Sequence, residues 1–445
     1  MLLFLLLTAA VSAQVDEKTK KIDSSTYNLY TLARWSDLID AGTAALDEGI
    51  DFYFLRMRIG IAYYNRKNYM SAIGHFDRAL EYSPREPAAL EYLYWSYVFS
   101  GREKEARFLA SGMPDELRKT IGAGRDNFVG GFYTEGGITF NGNSKNTLGN
   151  QGSDTTIYSG QKSGGKSAYF SFNLELSPWK RMTVFLGYNY LDMTSDKFFG
   201  STGNSQESFK VSTKQNEYYL NTGIYAGAGF TVNGIFHYLN INVGDVSADA
   251  NAVNSNTVFK KTSASLNNYV GMFSIGKSAG RFNLMLGSSY SNLNKAKQIQ
   301  NNFTVVYYPL GNLDLYSVSD FVVHSEKQDA AGKSSSKFLT RGIVNQKIGF
   351  KVLDRLWLEA FYMFGNAVNY HENNAFVVFN SSDIMSDRFG VNLISPVSSN
   401  IMLSLRYQQY KQDVPELVYG TQALSATNFK SYTFHKLIGT LKWTF

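Results

Sequence analysis

Cysteine is absent from the 445-residue chain, which excludes disulfides, thiolate metal sites, cysteine nucleophiles and a lipid-modified N-terminal cysteine. Proline is scarce, with 7 residues, and charged residues make up only 18%, below the roughly 25% of soluble globular chains. Long internal apolar runs are also lacking, so a bundle of membrane-spanning helices is excluded. The net charge of +6 is small for this length. The basic residues are scattered and form no stripe, which argues against a nucleic-acid partner. Present instead are 30 Tyr, 32 Phe and 38 Gly, with hydrophobic residues at 44%. That composition is too aromatic for disorder, and the length suits two or three domains.

Residues Met1 to Ala13 form an apolar segment of signal-peptide length, with Val11-Ser12-Ala13 as the cleavage site. Only the α-amino group of Met1 stands where a basic leader segment is usual. The alternative is a buried N-terminal helix, which the polar run Asp16 to Lys21 would continue poorly. Export from the cytoplasm follows from the first reading.

From about Ser25 to Leu117 the apolar spacing is helical. Counting from Tyr53, Gly60 and Tyr63 fall on a first helix and Tyr69 in a connecting turn. Ala72, Phe76 and Ala79 fall on a second helix, closed by Pro84. A shift of 34 residues brings Leu90, Leu93, Tyr97, Gly101 and Ala106 into the same places, and Trp35 to Leu46 looks like half of a degenerate earlier copy. The small residues let two antiparallel helices approach, and the aromatic ones fill the space between them. This pattern resembles the tetratricopeptide repeat. The resemblance implies a small docking module whose groove takes a peptide or protein partner; a spacer that only packs on the rest of the chain is the other reading. These are packing residues and identify no partner.

After Arg125 the period changes to two. Ala168, Phe170, Phe172, Leu174 and Leu176 alternate with Ser167, Ser171, Asn173, Glu175 and Ser177; Ile401, Leu403, Leu405 and Tyr407 alternate with Ser404, Arg406 and Gln408. Soluble sandwiches alternate too, but here apolar-out, polar-in segments of roughly ten residues match a tilted membrane strand. Short turns near Pro178, Ala226–Gly229, Ser278–Gly280, Pro309–Gly311, Leu353-Asp354 and Pro396–Ser399 alternate with polar loops. Those loops are Asn141–Gly165, Ser195–Thr213, Asp245–Thr262, Asn294–Gln300 (the short exception), Glu326–Lys337, Tyr370–Asp387 and Gln412–Lys430. The prolines of this region sit in turns or loops, where no ladder hydrogen bond is lost.

Hydrocarbon offers backbone groups no partner, so only a closed sheet survives in it. One strand before the first long loop, two around each short turn and one terminal strand make fourteen, the even number usual in bacterial barrels. Both barrel ends then face the periplasm, and a ring this wide has a lumen. Tyr188, Tyr190, Tyr218, Tyr407 and Trp443 suit the membrane interface. The predicted fold class is therefore α + β: a leader over 1–13, a short helical repeat module over 14–124, and an antiparallel transmembrane barrel over 125–445.

The chain ends Leu441-Lys442-Trp443-Thr444-Phe445, with Leu437, Gly439, Leu441 and Trp443 on one face and Lys436 and Lys442 on the other. This resembles the terminal strand that the barrel assembly machinery of Gram-negative bacteria recognises. The resemblance makes Leu437, Leu441, Trp443 and Phe445 an insertion signal and places the chain in outer-membrane lipid.

Sites of chemistry are few. The five histidines, His75, His237, His324, His371 and His435, show no metal spacing. His371-Glu372 falls in a predicted outer loop without a nucleophile and reads as a solvated pair. Gly130-Gly131 and Gly223 to Gly229 lack a P-loop lysine and read as strand and turn glycines. No catalytic residue, cofactor or metal is expected. Glu175, Lys347, Lys351, Arg406, Lys436 and Lys442 are predicted to face the lumen, a cation excess that favours anionic solutes.

Leader, helical repeats and barrel, in that order, resemble outer-membrane export families: the surface lipoprotein assembly modulators and the exporters of cellulose or poly-N-acetylglucosamine. The resemblance implies an export channel whose repeat module recruits a periplasmic client or partner. The alternatives are a porin-like passive pore tethered through its helices and, third, an outer-membrane enzyme.

Overall fold

The computed structural model describes residues 2–123, 127–141, 158–200, 207–248, 259–327, 329–330, 333–334, 338–381, 383–419 and 425–445. Two compact units result: Met1–Asp126 with Ser278–Phe282 and Tyr307–Tyr316, and the remainder of the chain from Asn127 on.

The first unit holds seven helices: α1 (Leu2–Thr31), α2 (Trp35–Asp47), α3 (Tyr53–Asn65), α4 (Tyr69–Tyr82), α5 (Pro87–Phe99), α6 (Glu103–Ala110) and α7 (Asp115–Thr120). α1 runs unbroken through the polar stretch 16–21 that was expected to interrupt it. Its solvent-facing charges cost the helix nothing, and Ile22, Leu29 and Tyr30 on its other side pack beside Leu38, Leu55 and Ile59. Arg58 on α3 ties the two helices, donating to Asp23 Oδ1 at 2.7 Å and to Thr26 Oγ1 at 3.0 Å.

The sequence lays out these helices through small residues and caps. Asn68 caps α4 by accepting from Ser71 N–H, and Pro87 opens α5, where a missing N–H is harmless. Gly60 lies under the Phe76 ring so closely that an added Cβ would come within 2.6 Å of it. Phe76 is fully buried and stacks on Tyr92 at 5.4 Å between centroids. Tyr69, expected in the connecting turn, is instead the first residue of α4. The turn is shorter than the repeat arithmetic implies because Lys67, at φ 58°, reverses the chain in one step. In the same unit the Gly311 carbonyl accepts from Met70 N–H at 3.0 Å, and Asn312 Nδ2 donates to the Lys67 carbonyl at 2.9 Å.

The second unit is a closed barrel. Its strands are β1 (Val129–Asn141), β2 (Tyr158–Trp179), β3 (Met182–Gly200), β4 (Glu207–Gly227), β5 (Phe230–Ala248), β6 (Phe259–Ala279) and β7 (Phe282–Ser291). They continue with β8 (Lys297–Tyr307), β9 (Leu315–Lys327), β10 (Leu339–Leu353), β11 (Leu356–Phe364), β12 (Ile384–Pro396), β13 (Ile401–Tyr419) and β14 (Ser425–Thr444). Each strand pairs with its neighbours in sequence, and β1 closes the ring against β14 from Gly131↔Thr444 to Asn141↔Phe434. Gly131 is needed at that seam, since a Cβ there would come within 2.3 Å of the Trp443 carbonyl oxygen. The fold class and the count of fourteen agree with the sequence reading.

Alternation places Phe170, Phe172, Leu186, Leu403 and Leu405 outside, exposed, and Ser171, Asn173 and Asn189 inside, buried. An exposed apolar ring around a closed backbone ladder is a lipid-facing surface. Strand length departs from expectation. β2 has 22 residues and β4 and β6 have 21 each, about twice the segment predicted, because polar residues read as loop continue the ladder beyond the apolar band. The predicted long loops therefore shrink, and 142–157, 201–206 and 249–258 lie outside the described residues.

Candidate functional site

The bore is not uniformly wet. Ile235, Leu239 and Ile241 on β5, with Val270 and Met272 on β6, point inward and are buried. What they meet is the segment between β11 and β12. Gly365, at φ 97°, turns the chain off β11 so near β10 that a Cβ would lie 2.5 Å from the Gly342 carbonyl oxygen. Ala367 and Met385 exchange both backbone hydrogen bonds at 2.9 Å, which ties the segment's entry to its exit.

Between those ties a hairpin forms, Tyr370–Glu372 pairing with Val377–Phe379. Its tip holds Asn373, Asn374 and Ala375 at φ 52°, 54° and 57°. Asparagine adopts this left-handed region readily; an alanine there costs about 1 kcal/mol. Ala375 is fully buried, and its carbonyl accepts from His237 Nδ1 at 2.6 Å. The surrounding wall thus holds the strained conformation in place.

The hairpin is fastened around the wall by side chains the sequence does not place together. Tyr219 Oη donates to the Asn374 carbonyl at 2.9 Å. The Phe376 ring lies 5.1 Å from that of Tyr219, 5.9 Å from Phe185 and 6.4 Å from Tyr133. His371 Nε2 meets Ser289 Oγ at 2.6 Å, and Gln300 Nε2 donates to the His371 carbonyl at 2.8 Å. Asn345 Nδ2 donates to Tyr370 Oη at 2.6 Å, Asn369 Nδ2 to Glu326 Oε2 at 2.8 Å, and Asn380 Nδ2 to Asn268 Oδ1 at 3.1 Å. Arg388 on β12 grips Glu372 through both guanidinium nitrogens, with Nη1 to Oε1 at 2.9 Å. These anchors fall on β1 and β3 through β10, and on β12, so the hairpin reaches across the bore.

Burial sets the protonation of the hairpin. It drives His371 down to about 3, with His324 and His237 nearby adding to the effect, and it raises the Tyr370 phenol. Burial alone would raise Glu372, but the Arg388 guanidinium more than offsets it and holds the carboxyl below its ordinary range. The sequence reading of His371-Glu372 as a solvated pair is therefore corrected. His371 is 1% exposed, and Glu372 is half of a buried ion pair, the Arg388 and Glu372 side chains being 4% and 16% exposed.

Of the other residues singled out, Gly60, Ala72, Phe76, Ala79, Leu93, Tyr97 and Ala106 are buried in the helical unit. Tyr63 stacks on His75 at 5.5 Å, and Tyr69 leans on Tyr64 at 5.3 Å. Pro84 follows the end of α4, and Gly101, at φ 73°, follows α5. Leu437, Trp443 and Phe445 are exposed and Leu441 is half-buried on the face it shares with Leu437. Glu175 shares a strand face with buried Ser171 and Asn173. Lys347, on the face of buried Ile343, lies 3.4 Å from Glu359, and Lys351 stands over the Trp357 ring at 5.3 Å. Arg406, Lys436 and Lys442 lie on inner faces beside Gln408, Ile438 and Thr440.

Tyr219, Ser289, Gln300 and Arg388 were not singled out by sequence, and His237 was noted only as lacking metal spacing. One signal was available: Ala375-Phe376-Val377-Val378-Phe379 is an apolar run inside a segment otherwise read as a polar outer loop.

No protein-family description matches the chain, and no curated protein matches it. Among solved structures it is similar to a FadL homologue of Pseudomonas aeruginosa, at 8% identity over 71% of this chain and 90% of that one, TM-score 0.43. It is similar to the toluene transporter TodX of Pseudomonas putida, at 7% identity over 76% and 92%, TM-score 0.43. The translocator domain of the autotransporter NalP from Neisseria meningitidis matches at 11% identity over 78% and 99%, TM-score 0.31.

Proposed function

We propose that the chain is an outer-membrane export channel that rests closed, with the hairpin 370–379 as its gate. In this reading the helices form a periplasmic docking module of tetratricopeptide type that recruits a protein client or partner, and the barrel assembly machinery inserts the chain through its terminal strand. The observation that carries the reading is the anchored hairpin across the lumen. A passive pore gains nothing from a buried ion pair and a strained tip whose Ala375 is fully buried, whereas a gate needs a resting state with a defined release. Fourteen strands enclose a bore that side chains alone do not fill, which leaves room for a passenger once the hairpin moves.

The contact of Ser289 with His371 suits a latch better than a nucleophile and its base. Both side chains are buried among wall and hairpin, and the hydroxyl also lies 3.2 Å from the Gln300 carbonyl, a ready acceptor for its proton.

Planar-bilayer recording of the intact chain tests the proposal. The native protein should show little steady conductance, and a variant with hairpin residues 370–379 replaced by a Gly-Ser linker should show large open steps. A large, steady conductance from the native chain would overturn the gate and favour the passive pore.

A further inference from the structure

The inner face of β13 and β14 carries Arg406, Lys436 and Lys442, none of them in a close ion pair among the described residues. In register, Lys442 stands beside Met402, Thr440 beside Ser404, Ile438 beside Arg406, and Lys436 beside Gln408. The three cations therefore climb one wall at intervals of about 13 Å and about 7 Å, taking about 3.4 Å per strand residue. The same row extends through Gly390 and Phe361 to Lys347, at the level of Lys436.

Carboxylates flank this row on the neighbouring strands, Glu135 of β1 in register with Thr440 and Glu359 of β11 level with Arg406 through Asn392, and they are occupied by other partners. Glu135 accepts from the Tyr133 and Tyr169 hydroxyls. Glu217 accepts from Asn189 Nδ2 at 2.9 Å and lies 3.1 Å from His237 Nε2. Asp320 accepts from Thr304 Oγ1 at 2.7 Å. Among the described residues no carboxylate comes within ion-pair distance of Arg406, Lys436 or Lys442; Lys436 lies 5.1 Å from the Tyr169 ring, and the Glu135 carboxylate acts on it from farther away. A charge in a barrel wall is costly unless water or a counter-ion meets it. The hairpin anchors described above reach β1, β3 to β10 and β12, and none is on β13 or β14.

We infer that Arg406, Lys436 and Lys442 form an anion ladder that binds and guides a solute or polymer bearing several negative groups, of the phosphate or carboxylate kind, along β13 and β14. The spacing favours a multivalent anion over a single small one, because one small ion cannot bridge two rungs. The inference rests on the reading of the barrel as a channel, and it names the chemistry of what passes.

Calorimetric titration of the full-length protein in neutral detergent tests it without requiring an open pore, with sodium phosphate and sodium tripolyphosphate as probes. Tripolyphosphate should bind at least tenfold more tightly than phosphate, and its affinity should fall steeply with added salt. The triple substitution R406Q/K436Q/K442Q should reduce that affinity at least tenfold, while K436R/K442R should keep it. If the triple variant does not fold, Arg406→Gln and Lys442→Gln singly should each cost about threefold. Equal binding by the native and neutralised proteins, or no binding to the native protein, would overturn the ladder. A closed native pore that binds no tripolyphosphate would remove the ladder alone, whereas an open native pore that binds it would remove the gate and leave the ladder standing.

Discussion

Glu372→Gln should open the barrel. In the native protein Arg388, with a side chain 4% exposed, is balanced by Glu372 through two hydrogen bonds. The amide keeps the shape of the carboxylate but leaves the guanidinium buried without a counter-charge, a change worth about 3–5 kcal/mol when one partner of a buried pair is lost. The penalty exists only while the hairpin covers Arg388. Moving the hairpin aside lets water reach the guanidinium, so the cost appears almost wholly as a bias toward the open state. At about 1.4 kcal/mol per factor of ten, the open-to-closed ratio should rise at least a hundredfold. Single-channel recording of the intact chain would show this as a rise in open probability at constant step size. Amide exchange of residues 370–379 should accelerate by a similar factor while β10 and β12 stay protected. The paired replacement Glu372→Met with Arg388→Met should restore closure, because apolar side chains of similar volume often replace a buried pair at no loss. Unchanged gating and exchange in Glu372→Gln, or an equally open doubly substituted variant, would refute the reasoning.

Other consequences follow from the same contacts. His371 stays neutral in the docked hairpin down to about 3, whereas a solvated histidine titrates near 6.5. Between those values the released state binds the extra proton, so docking is fully favoured above about pH 6.5 and weakens as pH falls toward 3. Open probability should rise by up to about tenfold per pH unit below 6 in bilayer recordings, and His371→Gln should remove that dependence. Gly60→Ala would push a methyl into the Phe76 ring and should destabilise the helical unit by about 1–3 kcal/mol. Thermal melting followed by circular dichroism would register the loss, while the heat-modifiable gel mobility of the barrel stays the same. Phe172→Arg places a charge on the lipid face and should cost about 2–4 kcal/mol if it lies near the midplane, read as a lower urea midpoint for refolding into vesicles.

The ring was legible because it rests on a local rule. Phe170, Phe172 and Leu174 against Ser171 and Asn173 report one face in lipid, and the alternation of tight turns with polar connections fixes how many times the chain crosses. Strand ends were less legible. Beyond the apolar band the strands keep their ladder but reverse their pattern: around 208–212 it is Phe209 and Val211 that turn to the buried side, beside Phe199, and the apolar-out rule does not mark them as strand. The hairpin was hidden for a different reason. Its anchors His237, Ser289, Gln300 and Arg388 are scattered along the chain and share no spacing, since a barrel brings together side chains from strands that are remote in sequence. His371-Glu372 was misread because the segment's polarity was taken for solvent, while its asparagines serve left-handed turns and buried hydrogen bonds. Only the apolar run 375–379 hinted that this segment packs.

The central claim is that residues 370–379 lie inside the bore, and the absence of native cysteine allows a direct measurement. The substitution Asn374→Cys, in the full-length protein in intact outer membranes, can be challenged with a bulky membrane-impermeant maleimide. The otherwise native background should leave the thiol unlabelled for hours, and the added Glu372→Gln should expose it within minutes. Rapid labelling in the native background would place the hairpin outside the barrel and contradict the account.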